Sequence, residues 1–202
     1  MIALVTGGSS GIGLEFSRQL AAKGYDLIIV SNIQEQLDNV CGPLAEEFGV
    51  KVIPHFQNLA VANAAEELLA WCDSISVLPD VLINNAGMFY FKELRPELMG
   101  KAEVMIGLHV TTPTKICVLF GDRMKQRGSG RILLVASMAA RIPAPGIQVY
   151  SATKAYLRSF GESLSYEMKP YGVTVTTLCP AAVATPLYGL RKDLLKFGVG
   201  IR

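Results

Sequence analysis

Tyr150 and Lys154 are the side chains of this sequence best placed to move a proton. Both belong to the run Y-S-A-T-K, which opens a predicted helix. Their spacing of four residues puts them on one helix face. A free tyrosine has a pKa of about 10, too high for an efficient base at neutral pH, and a nearby positive charge favours its phenolate. The pair is suited to acid–base chemistry, with Tyr150 exchanging the proton and Lys154 lowering the tyrosine pKa.

The same spacing occurs a second time, in Tyr188 and Lys192. Because the chain has seven tyrosines, the spacing alone is a weak signal. Tyr150 differs from Tyr188 in its context, because a predicted strand ending in Ser137 precedes it and a helix carries it. We therefore interpret Tyr150 as the reactive copy.

A glycine-rich turn, T-G-G-S-S-G-I-G over residues 6–13, joins the first predicted strand to the first predicted helix. Gly7 allows a tight turn, Gly11 lets the backbone approach a pyrophosphate, and Gly13 lets the helix pack closely on the sheet. The helix N-terminus offers free N–H groups and a positive dipole end to phosphates. An ordinary turn rich in Gly and Ser is the alternative, but this context favours dinucleotide binding.

The choice of dinucleotide depends on the end of the second strand, which reads Val30-Ser31-Asn32. An acidic residue there binds the ribose hydroxyls of NAD, whereas an arginine accommodates the additional phosphate of NADP. Neither is present. The sequence leaves NAD and NADP open and favours NADP.

Short apolar runs alternate with longer amphipathic stretches along the whole chain. The predicted strands are Ile2–Thr6, Asp26–Val30, Lys51–His55, Val81–Asn84, Arg131–Ser137 and Val173–Cys179. The predicted helices are Ile12–Lys23, Gln34–Phe48, Ala62–Ser76, Pro96–Arg127 and Tyr150–Pro170, the fourth kinked at Pro113. This alternation predicts one α/β domain over residues 1–202, a doubly wound parallel sheet of about six strands with helices on both faces. Ile12, Phe16 and Leu20 are expected to form the buried face of the first helix.

Composition excludes several classes of function. The chain has 202 residues, a net charge of +2 and no basic stripe, so neither nucleic acid nor a membrane surface is an expected partner. The longest apolar runs stop short of a bilayer span and no signal peptide is visible, so neither a membrane span nor a leader segment is expected. Cys41, Cys72, Cys117 and Cys179 show no metal-ligand spacing, so no metal site is predicted. Buried reduced thiols are expected, which points to the cytoplasm.

The glycine turn, the run N-N-A-G over residues 84–87, Ser137 and the Y-S-A-T-K run occur in an order and spacing that resembles the short-chain dehydrogenase/reductase family, from Met1 to about Thr185. The resemblance implies an NAD(P)H-dependent oxidoreductase that interconverts a carbonyl compound and a secondary alcohol. Ser137 would then hold the substrate oxygen, and Lys154 would also bind the nicotinamide ribose. The cofactor-binding residues implied are Gly7, Ser9, Ser10, Gly11, Ile12, Gly13, Ser31, Asn32, Asn58, Leu59, Asn85, Ala86, Gly87, Tyr150, Lys154, Pro180, Val183 and Thr185.

The sequence departs from the family pattern at several positions. His109 stands where the family usually has an asparagine that supports the lysine through a water relay. An imidazole can donate and accept hydrogen bonds, so His109 is a candidate for the relay, and a histidine that merely satisfies a buried helix is the equal alternative. Asn58 and Ala181 replace the usual Asp and Gly. The family's usual seventh strand is not found in this sequence, which is interpreted either as a fragment of a longer product or as a member that lacks this strand. Residues 184–202 resemble the start of a substrate lid.

Apolar residues near the predicted site suit an apolar carbonyl substrate, although ordinary packing explains them equally well. These candidate pocket residues are Met88, Met138, Ile142, Leu187 and Tyr188. The resemblance also implies homodimers or homotetramers through the fourth and fifth helices. The rival hypothesis is a cofactor-binding regulatory or scaffold protein without useful turnover.

Overall fold

The computed structural model describes residues 1–181 together with Val183, Thr185 and Leu187. Its six strands form one parallel sheet in the order β3-β2-β1-β4-β5-β6. The strands are β1 (Ile2–Thr6), β2 (Asp26–Ser31), β3 (Val52–Phe56), β4 (Val81–Asn84), β5 (Gly130–Val135) and β6 (Val173–Leu178). This order reverses direction between β1 and β4, which is the doubly wound, Rossmann-type arrangement that the sequence predicts.

The described residues form six α-helices around the sheet. They are α1 (Gly11–Ala22), α2 (Gln34–Phe48), α3 (Ala64–Ser74), α4 (Met99–Ile106), α5 (Thr112–Arg127) and α6 (Gln148–Met168). Apolar side chains of α1 and α2 pack on one face, and those of α3, α5 and α6 pack on the other. The strands are buried on both faces, which explains their near-continuous apolar sequences. The predicted lid over 184–202 lies outside the described residues except for Thr185 and Leu187.

The buried stripe of α1 differs from the predicted one. Gly13, Ser17 and Ala21 face the sheet, whereas the predicted Phe16 and Leu20 lie beside them and are half-buried. A Cβ atom on Gly13 would stand 2.1 Å from the Gly7 carbonyl oxygen. The helix therefore approaches the glycine turn more closely than larger side chains permit, and its inner face has to consist of small residues.

The predicted fourth helix is a continuous helical stretch with two changes of geometry. A 3₁₀ turn at Pro96–Leu98 precedes α4, and a π turn at Gly107–Thr111 separates α4 from α5. Pro113 falls in the first turn of α5, where its missing N–H is tolerated. The irregularity thus lies before Pro113 and includes His109.

The stretch Pro96–Arg127 is long and apolar enough, by length and composition, to cross a membrane. The expectation drawn from the sequence rested on single apolar runs, each of which is too short to cross a bilayer, whereas this helical stretch as a whole is long enough. In the fold its apolar residues Met105, Ile116, Phe120 and Met124 are buried in the protein core. Such burial is what a core helix of a globular domain requires.

The four cysteines are free thiols, and the described part of the chain contains no cluster of His, Cys, Asp and Glu able to hold a metal ion. Burial raises the pKa of Cys41 to about 11 and that of Cys72 and Cys117 to about 12. These thiols stay protonated at neutral pH and act as apolar core residues.

Candidate active site

The glycine turn lies where β1 ends and α1 begins, at the carboxyl edge of the sheet. Gly7 and Gly11 have positive φ angles of 62° and 54°, which favour glycine. The Gly7 N–H donates to the Val30 carbonyl at 2.8 Å and so ties the turn to β2. Ser10 precedes α1 without capping it through its side chain. The first N–H groups of α1 are therefore left to a ligand, as a phosphate-binding helix N-terminus requires.

A polar network lies beside this turn, at the end of β2. Ser9 Oγ is 2.8 Å from Ser31 Oγ and 2.8 Å from Gln36 Oε1. The Ser9 hydroxyl donates to the amide oxygen, so it accepts from Ser31, and Ser31 Oγ in turn accepts from the Ile33 N–H at 3.2 Å. Only neutral polar groups surround this end of the cavity among the described residues. No charge there selects NAD or NADP.

Asn85 connects the glycine turn to the segment that follows β4. Its Nδ2 donates to the carbonyl oxygens of Thr6, at 3.0 Å, and Gly7, at 3.2 Å. Thr6 Oγ1 in turn accepts hydrogen bonds from the N–H groups of Asn85 and Ala86, at 2.9 and 3.0 Å. These bonds span nearly eighty residues and hold two cofactor-facing loops in one arrangement.

Ser137 lies two residues beyond the observed end of β5, which is shorter than predicted. It is buried and begins a 3₁₀ turn at Met138–Ala140, where its Oγ accepts from the Ala139 N–H at 3.1 Å. The Met138 N–H donates to the Pro180 carbonyl at 2.9 Å, which joins this turn to the end of β6. Because Ser137 Oγ accepts from the backbone, its O–H is directed by that bond and can donate to another acceptor.

Tyr150 and Lys154 occupy the first turns of α6, and both side chains are buried. Lys154 Nζ donates to the Val135 carbonyl at 2.8 Å and lies 5.8 Å from the centre of the Tyr150 ring. Burial lowers the pKa of Lys154 to about 8, and interaction with Cys179 opposes this only in part. The lysine thus remains mostly charged at pH 7, while a proton leaves it more readily than it leaves an exposed lysine.

The Tyr150 ring is held by two aromatic neighbours. Phe89 meets it edge to face, with ring centres 5.0 Å apart, and the His109 ring lies 5.8 Å away at 74°. His109 is buried within the π turn. Its Nε2 accepts from the Met88 N–H at 2.9 Å, and its Nδ1 is 3.0 Å from Thr153 Oγ1. Burial, aided by the charge of Lys154, keeps the pKa of His109 well below 6.5.

These segments enclose one cavity of about 490 Å³. Ser137, Tyr150, Lys154 and His109 all line it. So do the following predicted cofactor-binding residues: Gly7, Ser9, Ser10, Gly11, Ile12, Ser31, Asn32, Asn58, Leu59, Asn85, Ala86, Gly87, Pro180 and Thr185. Two predicted cofactor residues lie elsewhere. Gly13 packs behind the turn, and Val183 lines a separate groove along α1.

The predicted substrate residues divide into three groups. Met88 and Leu187 line the cavity. Met138, in the 3₁₀ turn, and Ile142, just after it, are exposed and are not part of the cavity wall. Tyr188 lies outside the described residues.

Sequence reasoning missed Gln36, Thr6 and Thr153. Gln36 lines the cavity from the first turn of α2, and its position just after the β2 edge was the available signal. Thr6 is the last residue of β1, next to the glycine turn. Thr153 lies three residues after Tyr150, where a hydroxyl can bond back to the preceding helix turn. No pattern in the sequence indicates that Thr153 also meets His109.

Comparison with known proteins places this geometry in a family. The family model described as short chain dehydrogenase matches residues 1–193. The chain belongs to the short chain dehydrogenase family. This membership confirms the resemblance carried by the glycine turn, the N-N-A-G run, Ser137 and the Y-S-A-T-K run.

Relatives within the short chain dehydrogenase family include the very-long-chain 3-oxoacyl-CoA reductase of Rattus norvegicus, which is 31% identical over 198 residues. The match covers 96% of this chain and 62% of the rat protein, so the chain spans less than two thirds of that relative.

Solved short chain dehydrogenase structures have the same fold. A short-chain dehydrogenase from Sphingobium yanoikuyae in complex with NADPH gives a TM-score of 0.88 at 30% identity, covering 93% of this chain and 73% of that one. A bulky-bulky ketone specific alcohol dehydrogenase from Comamonas testosteroni gives 0.84 at 29% identity, covering 90% and 72%.

Proposed function

We propose that this chain is an NADP(H)-preferring oxidoreductase that interconverts a carbonyl compound and a secondary alcohol. One observation carries the proposal: Ser137, Tyr150 and Lys154 line the same cavity as the uncapped N-terminus of α1 and the glycine turn. A protein that only binds a nucleotide has no need of this trio. The reductases and dehydrogenases among its relatives support the proposal.

The described residues fit a nicotinamide dinucleotide. The uncapped N-terminus of α1 at Gly11 offers backbone N–H groups to a pyrophosphate. The network at Ser9, Ser31 and Gln36 offers neutral hydrogen-bonding groups to the adenosine ribose. When bound, the nicotinamide supplies or accepts the hydride. We favour NADP because no carboxylate lies at the end of β2 to bind a free 2′-hydroxyl, and because a related structure contains NADPH.

The protein's own residues then handle the proton and the substrate oxygen. Ser137 donates a hydrogen bond to the carbonyl oxygen and positions it. Tyr150 gives its phenolic proton to that oxygen in reduction and takes one from the alcohol in oxidation. The Lys154 charge favours the phenolate that forms on Tyr150 Oη. General acid–base catalysis of this kind contributes about 10²- to 10⁴-fold to a rate.

The substrate we propose is an apolar ketone or a 3-oxoacyl compound. The apolar residues Met88, Val104, Leu108 and Leu187 are among those that line the cavity. The names of two relatives point the same way, one a reductase of very-long-chain 3-oxoacyl-CoA and the other specific for bulky ketones.

We also propose a homo-oligomer in a reducing compartment such as the cytoplasm. Large apolar side chains are exposed on neighbouring helices, namely Val104 and Ile106 on α4, Val118 on α5 and Tyr156 on α6. A second copy of the chain would remove this surface from water.

The free thiols at Cys41, Cys72 and Cys117 suit reducing conditions, which supports the proposed compartment.

The deciding experiment compares native protein with Tyr150→Phe for NADPH and NADH oxidation over a panel of ketones, aldehydes and 3-oxoacyl thioesters. Tyr166→Phe, at a position 80% exposed on the same helix, is the matched control. We expect NADPH-dependent turnover that falls at least about 100-fold in Tyr150→Phe, with cofactor affinity retained. Binding without turnover in native protein would instead favour the regulatory or scaffold function.

A further inference from the structure

His109 joins the loop after β4 to the helix that carries Tyr150. Its Nε2 accepts from the Met88 N–H at 2.9 Å. A backbone N–H can only donate, so Nε2 carries no proton, and the proton of the neutral ring is on Nδ1. Nδ1–H then donates to Thr153 Oγ1 at 3.0 Å, and Thr153 Oγ1 donates to the Tyr150 carbonyl at 2.8 Å. Each bond fixes the direction of the next.

This chain of hydrogen bonds uses both nitrogens of the imidazole. Lys154 Nζ donates to the Val135 carbonyl, and neither His109 nitrogen is bonded to it. A proton relay that ran through the imidazole itself would require a ring nitrogen that can accept a proton on one side and release one on the other. In this arrangement, accepting a proton at Nε2 would break the bond to Met88.

Steric contacts fix the ring further. A Cβ atom on Gly87 would stand 3.0 Å from His109 Nε2, so the loop approaches the ring closely. The Tyr150 ring faces the other side, 5.8 Å from the imidazole centre. The π turn at Gly107–Thr111 provides the local change of pitch that includes His109.

We propose that the side chain of His109 is a positioning group that locks the Met88 loop to the Tyr150 helix through Thr153, and that its ring nitrogens do not carry protons during turnover. The proposal rests on the proposed function, because it concerns the placement of Tyr150 against a substrate beside Met88. Both residues line the cavity. These hydrogen bonds would hold Met88, in the cavity wall, and Tyr150, the acid–base group, at a fixed distance from each other during turnover.

The electrostatic surroundings agree with this role. Tyr150 and Lys154, both on α6, are the titratable side chains that contact or perturb the ring among the described residues. Burial and the positive charge of Lys154 lower the pKa of His109 well below 6.5. The ring therefore stays neutral, with one tautomer, over the pH range in which a relay would have to change protonation.

The first test measures the tautomer directly by long-range ¹H–¹⁵N NMR of the native, cofactor-free protein. We expect a protonated Nδ1, an unprotonated Nε2 and no change between pH 8 and 6. Protonated Nε2, or titration within this range, would overturn the proposal. Because this measurement needs no turnover, a failure of the hydrogen-bond arrangement can be told apart from a failure of the proposed function.

The second test uses substitutions that separate positioning from relay. Thr153→Val removes the hydroxyl that links His109 to Tyr150, and we expect kcat/KM to fall about 10- to 100-fold, with the fall in kcat rather than in cofactor affinity. Thr153→Ser should restore most of this loss. Thr112→Val removes another buried threonine hydroxyl, bonded to the Leu59 carbonyl at 2.8 Å, and should leave the His109 nitrogen spectrum unchanged.

His109→Asn introduces the residue that the family relay uses. Asparagine is too short to span Met88 and Thr153 together, so we expect it to lower kcat to a similar extent as Thr153→Val. Thermal unfolding of each variant shows whether it is folded. Native-like kcat in both folded Thr153→Val and folded His109→Asn would refute the positioning role.

Discussion

Lys154 is a charged side chain that the protein almost completely encloses. It makes a hydrogen bond to the Val135 carbonyl, and burial lowers its pKa to about 8 from an ordinary value of 10.5. A shift of this size corresponds to about 3 kcal/mol of disfavoured charge. The fold retains the lysine despite this destabilisation, as expected for a group placed for chemistry rather than stability.

The buried Lys154 makes the stability of the folded protein depend on pH, because the folded and unfolded chains bind its proton with different affinity. Below pH 8 the lysine is charged in both folded and unfolded chains, and the folded state bears the full penalty of the buried charge. Between pH 8 and 10.5 the unfolded chain holds the proton more tightly, so this group raises stability as pH rises. Cys41, Cys72 and Cys117 act in the opposite direction above pH 9, because their folded pKa values are raised.

Lys154→Met should therefore abolish turnover while stabilising the cofactor-free protein at pH 7 by about 1–2 kcal/mol. The gain is smaller than the full penalty because the Val135 carbonyl loses its partner. Denaturant unfolding of both proteins from pH 6 to 10.5 checks this. The difference between them should shrink above pH 8, and the cysteine contributions cancel in it. A variant less stable than native at pH 7 would contradict the expectation.

At the scale of elements, the active site depends on how closely α1 approaches the glycine turn. Gly13 lies on the inner face of α1, where a Cβ atom would stand 2.1 Å from the Gly7 carbonyl oxygen and 2.4 Å from Asn85 Nδ2. The same turn and the same amide hold the β4 loop. Moving the helix outward would therefore disturb the phosphate-binding turn and the loop after β4 together.

Gly13→Ala should destabilise the protein by about 3 kcal/mol and remove measurable NADPH binding. Gly100→Ala in α4 is the matched control, because a Cβ atom there meets nothing within 4 Å and alanine favours a helix. That control should bind normally and gain about 0.5–1 kcal/mol. Thermal unfolding and a fluorescence titration with NADPH measure both effects. Normal NADPH binding by Gly13→Ala would show that α1 can shift without loss of the site.

At the scale of the whole molecule, the helices that position His109 and Tyr150 also expose an apolar surface. Ile106 and Val110 border a shallow groove with Gln148, Val149 and Ala152 at the start of α6. The site and the proposed interface thus share elements. Association would stabilise the same helix ends that hold the proton-transfer residues.

Val118→Lys should shift native protein from dimer or tetramer toward monomer, because the substitution places a charge in the proposed apolar interface. Phe56→Lys, at an exposed position at the end of the edge strand β3, is the control and should keep the native mass. Sedimentation velocity of the three proteins provides the measurement. A monomeric native protein would refute the homo-oligomer.

Sequence patterns predicted the fold class, the order of the strands along the chain and most of the residues that line the cavity. Parallel strands end at one edge of the sheet, so residues that follow them, such as Ser31, Asn85 and Ser137, had to meet there. Periodicity also located the elements to within a few residues. These features follow from local patterns and from the small number of ways a doubly wound sheet can be built.

Tertiary structure alone decided the features that depend on contacts distant in sequence. The buried stripe of α1 is set by Gly7 and Asn85, which no helical period reports. Met138 and Ile142 are exposed on the segment that follows β5, which the local sequence pattern does not indicate. The two alternatives for His109 could not be separated from sequence, because its tautomer is fixed by a backbone N–H at Met88 and a hydroxyl at Thr153, 21 and 44 residues away.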